Sequence, residues 1–389
     1  MTRSRLAGSE NVGKRLKATS LRDFLDPKTD TDKTRRYRRH RRSVSRDEIA
    51  LPGLARYALE LVGLRSAGPG EKVSWWVHFL YQGQLCELAL EKFGLQLYVE
   101  LVDDDETQAE QLAKIIVKKL RSSMRAIETR VLAPAASGLF REGEVTAVNQ
   151  HAVLRRSYEY FRERASNPAV IQDERNQLSP DSWTFQAGEP LMRLNSHHDL
   201  VASVNAYLSL LEHRLVLALP FEGFDPSKDS LEKFIGLRWG DKYRHVFDLK
   251  QIEDKRYYDK LVEIVERWRN TYSHGGFEKG NGSSVYLHYE GIGAIPIALS
   301  SASALGGVLF VPEIDGEIDH VFKLFDEFDA WLLDTRMPFA TEWITSGLHV
   351  RFDPAFRAEV VKAMKSPERF SKFVDYKSEL ETRAANMDY

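Results

Sequence analysis

The chain has 389 residues, enough for two or three domains with buried cores. Hydrophobic residues make up 43% and charged residues 29%, which excludes wholesale disorder; the single cysteine, Cys86, excludes an intramolecular disulfide framework and a cysteine-based zinc site. The net charge of −2 is a cancellation, because residues 1–46 carry 15 Lys and Arg against 5 Asp and Glu while the rest carry 40 against 52.

Residues 1–46 read as a disordered basic arm, polar and with little apolar periodicity. No apolar stretch follows Met1-Thr2-Arg3-Ser4-Arg5, so no secretory signal is expected and the protein is assigned to the cytoplasm. The densest part of the arm holds Arg35, Arg36, Arg38, Arg39, Arg41 and Arg42 around Tyr37 and His40. These arginines are candidates for binding phosphates through counterion release, against the plainer readings of a solvated tail or a partner-docking arm.

Residues 47–190 form an expected N-terminal unit, α/β or helix-rich, whose role the sequence does not state. Asp47 and Glu48 open a helical pattern carried by Leu54, Tyr57, Ala58 and Leu61, and Ala67-Gly68-Pro69-Gly70 is a turn. Trp75 to Phe93 reads as another amphipathic segment, followed by an alternating strand at Leu95, Leu97, Val99 and Leu101. Asp103-Asp104-Asp105-Glu106 suits a helix start better than a metal site, with Leu112, Ile115, Ile116, Leu120 and Met124 as the core stripe. Asn167 to Glu189 reads as a linker.

Residues 191–389 are expected to be mainly helical, with one β-hairpin. Helices are expected over His197–Leu219, from near Asp229, over Tyr257–His274, Ile318–Leu333 and Asp353–Lys365. Gly291–Pro312 carries no charge and reaches spanning length, but Pro296 and Gly306-Gly307 interrupt it; a buried strand–loop–strand is expected, and no membrane partner. A hairpin fits Val285–Tyr289 and Ala294–Leu299. His197-His198-Asp199 is a poor chelate, since adjacent helical residues diverge by about 100°, and it reads as helix-start polarity. His213 beside Glu212 reads as core or interface polarity. No cofactor and no metal are expected.

The informative segment runs from Arg267 to Gly276. On a helical wheel, Leu261, Ile264, Val265, Trp268 and Tyr272 share a buried face, while Glu263, Arg267, Asn270 and His274 cluster opposite and Arg269 lies on the flank. These residue types suit RNA cleavage without a metal. A neutral imidazole accepts the proton of a ribose 2′-OH, and a guanidinium holds the phosphate and the charge that develops on it. The products are then a 2′,3′-cyclic phosphate and a 5′-OH. One copy supplies one histidine here, too few for separate acid and base, so a symmetric dimer is expected to double the set.

Arg269-Asn270-x-x-x-His274 resembles the Arg-Asn-x3-His signature of the HEPN superfamily, small helical bundles found in many bacterial RNases and toxins. The likeness spans roughly residues 195–300 and includes the Leu210–Leu217 helix ending at Pro220-Phe221, then Trp239–Tyr243 and Val246–Leu249 before the signature helix. It implies a mainly α fold with a minor β component: a HEPN-like bundle, preceded by the mixed N-terminal unit and the basic arm. It implies a metal-independent endoribonuclease acting on RNA as a homodimer, a toxin or defence effector with a neutralising protein partner. His274 is then the general base, Arg269 the phosphate-binding residue and Asn270 the orienting one, with Arg267 competing for the phosphate. The alternative is a catalytically inactive HEPN-like module that binds nucleic acid or docks a partner.

Overall fold

A computed structural model describes residues 3–27, 38–102, 105–270, 281–300, 308–310 and 317–387. The fold is mainly helical with a smaller antiparallel β component. It divides into two units, residues 1–141 with 375–389, and residues 142–374.

The first unit contains α1 (Arg3–Ala18), β1 (Phe24–Leu25), β2 (Arg38–Val44), α2 (Pro52–Leu61), β3 (Ser66–Ala67), β4 (Val73–Tyr81), β5 (Gln84–Glu91), β6 (Gly94–Leu101), α3 (Glu106–Ile127) and α4 (Ala133–Glu142). Its sheet runs β1-β4-β5-β6-β2, all antiparallel, with β3 beside β4. Helices α1, α2 and α3 pack together, and α3 lies on β2 and β6. The 75–93 segment is not one amphipathic element but the β4–β5 hairpin, because Gln82 and Gly83 take the positive φ of a tight two-residue turn. Trp75, Val77, Phe79 and Tyr81 alternate into the core, as do Leu95, Leu97, Val99 and Leu101 of β6.

The expectation of a disordered arm over residues 1–46 is overturned for its described part. Val12 and Leu16 of α1, with Leu21 and Phe24, are buried in the same core as β4 and α3. The arginine run is an edge strand. Arg39 on one face of β2 pairs with Glu87 at 2.6 Å, and Arg41 with Glu91 at 3.0 Å. On the other face Arg42 pairs with Glu48 at 2.6 Å and with Glu110 of α3 at 3.2 Å. Period-two alternation brings Arg39, Arg41 and Arg42 to carboxylates on the two faces of the strand, which low local hydrophobicity could not reveal.

Helix α3 begins as its acidic start predicts: the Asp105 side chain accepts from the Gln108 backbone N–H at 2.9 Å. Leu112, Ile116 and Leu120 are buried, but Ile115 is 42% exposed and leaves the stripe. Asp105→Ala is expected to cost about 1 kcal/mol, readable as a lower denaturation midpoint with unchanged m-value.

The second unit contains β7 (Thr146–Ala147), α5 (His151–Ser166), β8 (Glu174–Ser179), β9 (Ser182–Gln186), α6 (Gly188–Ala218), α7 (Leu231–Ile235), α8 (Trp239–Val246), α9 (Ile252–Ile264), β10 (Asn281–Tyr289), β11 (Gly293–Ser300), β12 (Val308–Phe310), α10 (Glu317–Trp331), α11 (Pro338–Thr345), β13 (Val350–Arg351) and α12 (Pro354–Ala363). Helix α13 (Pro367–Asn386) starts here, and its end groups with the first unit. The unit begins near residue 142 rather than 191 because α5 packs along α6 and buries Tyr158 and Ala165 in the same core. Gly143 marks the entry: its φ is +72°, and a Cβ there would stand 2.5 Å from the Phe352 carbonyl oxygen.

The expected 167–189 linker holds the β8–β9 hairpin and the first residues of α6. The expected hairpin at 285–299 is present as β10–β11, turning through Gly291 and Gly293 at positive φ, with β12 on β11. Among the described residues no helix is long and apolar enough to cross a membrane.

A polar network lies inside this unit, where α5, α6 and α10 meet. Asp329 accepts from Arg214 at 2.6 Å and from the Tyr207 hydroxyl at 2.7 Å, and it pairs with Arg155. Arg214 also donates to His151 Nε2 at 3.1 Å. Burial opposes ionisation of Asp329, but Arg214, Tyr207 and Arg155 outweigh it and hold its pKa below 3.8. Burial, followed by the charges of Arg214 and Arg155, pushes His151 down to about 4. His151 is therefore neutral in the fold and titrates near 6.5 when unfolded. Its contribution to stability is present above that value and is lost as pH falls toward about 4. Denaturation across pH 7 to 4 should show that loss, and His151→Gln should reduce its slope; burial also lowers His213 and His197, so part of the slope remains.

Candidate functional site

Helix α9 is fixed at its start. Asp254, in the first turn of α9 and nearly fully buried, accepts from the Asp248 backbone N–H at 2.9 Å, and the Tyr243 hydroxyl donates to its carbonyl at 2.9 Å. Arg336 reaches in from beyond α10, pairing with Glu222 at 3.1 Å and Asp254 at 3.4 Å and donating to the Val246 carbonyl at 3.1 Å. The helix axis is thereby pinned to α8 and to the end of α10.

Leu261, Ile264, Val265 and Trp268 of the expected apolar face are buried, as is Tyr257, while Tyr272 lies outside the described residues. Glu263 and Glu266 are exposed, and Arg267 and Arg269 are half-buried on either side of Trp268. From Val265 to Asn270 the helix is π-helical, with i→i+5 bonding. Each residue then turns less about the axis, so angles read from an α-helical wheel no longer apply at Arg269 and Asn270. Such segments recur at functional sites, but Glu128–Leu132 and Leu332–Arg336 are π-helical too, so the feature alone assigns nothing.

Arg267, Arg269 and the backbone of Asn270 thus share one π segment, which packs against α6 and approaches β10. The Arg267 guanidinium lies 5.7 Å from the Trp268 ring centroid. His274, with Arg35 and Arg36, lies outside the described residues. Arg38, Arg39, Arg41 and Arg42 stand on β2 of the first unit, and the last three are engaged by carboxylates there. An open cavity of about 550 Å³ sits beside Arg41 and Arg42, between β2 and α3, and Glu106 and Glu110 share its wall.

The sequence reading missed His197. Helix α6 begins at Gly188, so His197 and His198 fall inside a 31-residue helix rather than at its start. Asp199 pairs with Arg164 of α5 at 3.0 Å. The His197 ring stands 5.5 Å from the Trp268 ring, centroid to centroid, tilted 55°. Burial, followed by the charge of His198, lowers the pKa of His197 below 6.5. A histidine ten residues into a helix gives no sequence cue to a contact some 70 positions away. His213 is internal as expected, its Nε2 accepting from the Gln150 backbone N–H at 2.9 Å, while Glu212 holds the buried Lys242 at 2.6 Å.

Among the described residues no group of three or more His, Cys, Asp or Glu side chains is arranged to hold a metal ion. Comparison with known protein families, curated proteins and solved structures found no match.

Proposed function

We propose that the second unit is a HEPN-type, metal-independent endoribonuclease that cleaves RNA to 2′,3′-cyclic phosphate and 5′-OH ends. The observation that carries this reading is the placement of two half-buried arginines, Arg267 and Arg269, around a buried Trp268 on the π segment that continues a helix pinned at its start. A guanidinium suits the non-bridging oxygens of a phosphodiester and the charge that grows on them, and either arginine can supply it. Asn270 orients, and His274, four residues further on, moves the proton. The ion pairs of Arg39, Arg41 and Arg42 make β2 a weaker phosphate contact than a free arm.

A homodimer, a cytoplasmic setting and a role as toxin or defence effector with a neutralising partner belong to this proposal. The inactive docking-module reading is favoured by one feature, the β8–β9 hairpin, on which Leu178, Trp183 and Phe185 are each more than half exposed.

The test is incubation of the purified protein with single-stranded RNA, with excess EDTA present or absent. Cleavage at equal rates in both, with a 2′-deoxy analogue left intact, is the expected result. EDTA-sensitive cleavage, or equal attack on the 2′-deoxy strand, contradicts it.

A further inference from the structure

Helix α5 begins without a cap of its own. Its first turn holds no acidic residue, and the side chain of Gln150, just before His151, makes no capping bond. The backbone N–H groups at this end are taken instead by two imidazoles from distant parts of the chain. His213 Nε2 of α6 accepts from Gln150 at 2.9 Å, and His349 Nδ1, just before β13, accepts from Asn149 at 3.3 Å. The chain that leads here is a strap over residues 143–150. Its β7 pairs with β13, and Val145 accepts from the Phe352 N–H at 3.1 Å. The Asn149 side chain donates to the carbonyls of Ile344 at 2.8 Å and Leu348 at 3.0 Å.

We infer that this strap is an acid-operated latch, shut while His213 and His349 are neutral and released when their rings are protonated. The inference goes beyond the ribonuclease reading and does not depend on it. An imidazole nitrogen accepts a hydrogen bond only when it carries no proton. Protonation turns His213 Nε2 into a donor that faces the Gln150 N–H, so the bond breaks. It also sets a cation at the N-terminal end of α5, where the helix dipole opposes it. The same change at His349 Nδ1 frees the Asn149 N–H. A serine or asparagine cap would hold this end across the whole pH range, whereas two histidines make the hold conditional.

The surrounding charges leave the switch to the histidines. Lys242 of α8 is matched by Glu212 at 2.6 Å, and Arg214 by Asp329 of α10 at 2.6 Å. Arg155 of α5 lies between Asp329 and Glu159. Along β13 Arg351 pairs with Asp353 at 2.7 Å, while Glu144 lies on the strap and Glu342 on α11. With the nearest charges paired, burial is what lowers the pKa of His213 below 6.5. A ring neutral in the shut form and titrating near 6.5 once released stabilises the shut form above that value. That contribution is lost as pH falls below it. His151, the first residue of α5, is pushed down to about 4 and works in the same direction as the turn opens.

The experiment is amide hydrogen exchange of the full-length protein at about pH 7.5 and about pH 5.5, corrected for the pH dependence of the chemical step. Wild type, His213→Gln and His213→Phe are compared, with residues 203–211 of α6 as the control. In wild type, protection of residues 145–151 should fall about tenfold or more between the two conditions, while α6 holds its own. His213→Gln supplies an amide oxygen that accepts from Gln150 and does not titrate. Its strap should be as protected as wild type at the higher pH, and its fall should be about two- to tenfold smaller. His213→Phe offers no acceptor, so its strap should exchange readily at both values. Wild-type strap protection that is the same at both pH values contradicts the latch. So does a fall as large in His213→Gln as in wild type, or an equal fall in α6, which would mark general unfolding.

Discussion

Replacing His274 or Arg269 by alanine is expected to lower RNA cleavage about 10²–10⁴-fold, the range for removing a general acid–base group or a donor to a developing oxyanion. Melting temperatures should be unaffected, since Arg269 is only half-buried and its neighbour Trp268 anchors the turn. The two variants should differ in how they fail. Loss of the imidazole removes a proton transfer and falls on kcat with little change in KM. Loss of Arg269 removes a phosphate contact and falls on both, with Arg267 on the same π segment retaining part of the binding. A double Arg267→Ala, Arg269→Ala variant should lose more than either alone. Undiminished cleavage by His274→Ala, in a preparation freed of contaminating RNase, removes that residue from the reaction.

Asp329→Ala should unfold the second unit more readily than any surface change. The carboxylate accepts from Arg214 and Tyr207 and pairs with Arg155, and only 9% of the Arg214 side chain reaches solvent. Removing it leaves the buried Arg214 guanidinium without a carboxylate, while Arg155 keeps Glu159 at 2.7 Å, an effect of about 3–5 kcal/mol. For a unit of this size that corresponds to a fall of about 10 °C or more in melting temperature. Replacing Asp329 and Arg214 together by Leu and Met should cost clearly less than Asp329→Ala, because no partner of that pair is left uncompensated. A double variant as unstable as the single one would show that shape rather than charge governs this position. The network ties α5 to α6 and α10, and α6 in turn carries His197 to the π segment. Its integrity therefore matters to the site as well as to the core.

How much was legible in the sequence follows from what each signal depends on. The buried face of α9 was legible because it rests on local spacing alone: Leu261, Ile264, Val265 and Trp268 are all buried. So were the β10–β11 hairpin, where glycines take the positive φ that the turn requires, and the acidic start of α3. The arginine strand was not. Its partners, the β6 ladder and the carboxylates of Glu87, Glu91 and Glu110, lie 48 to 68 positions away, and no local window contains them. The same holds for α1, whose anchoring side chains, Val12 and Leu16, are too sparse to raise an otherwise polar segment above the threshold for order. The extent of α6 was hidden because its first nine residues include Gly188, Pro190, Asn195 and Ser196, residue types of loops and turns, and this misplaced His197 at a helix start. The π segment after α9 leaves no composition signal, and it alters the angular relation among Arg267, Arg269 and Asn270 that the wheel had assumed.

The most direct test is end-group analysis of RNA fragments produced by the purified protein in EDTA. Fragments that end in 2′,3′-cyclic phosphate and begin with 5′-OH, formed by wild type and absent with His274→Ala, are the predicted result. Fragments with 3′-OH and 5′-phosphate ends, or an RNA that stays whole at high enzyme concentration, would contradict cleavage by internal attack of the ribose hydroxyl.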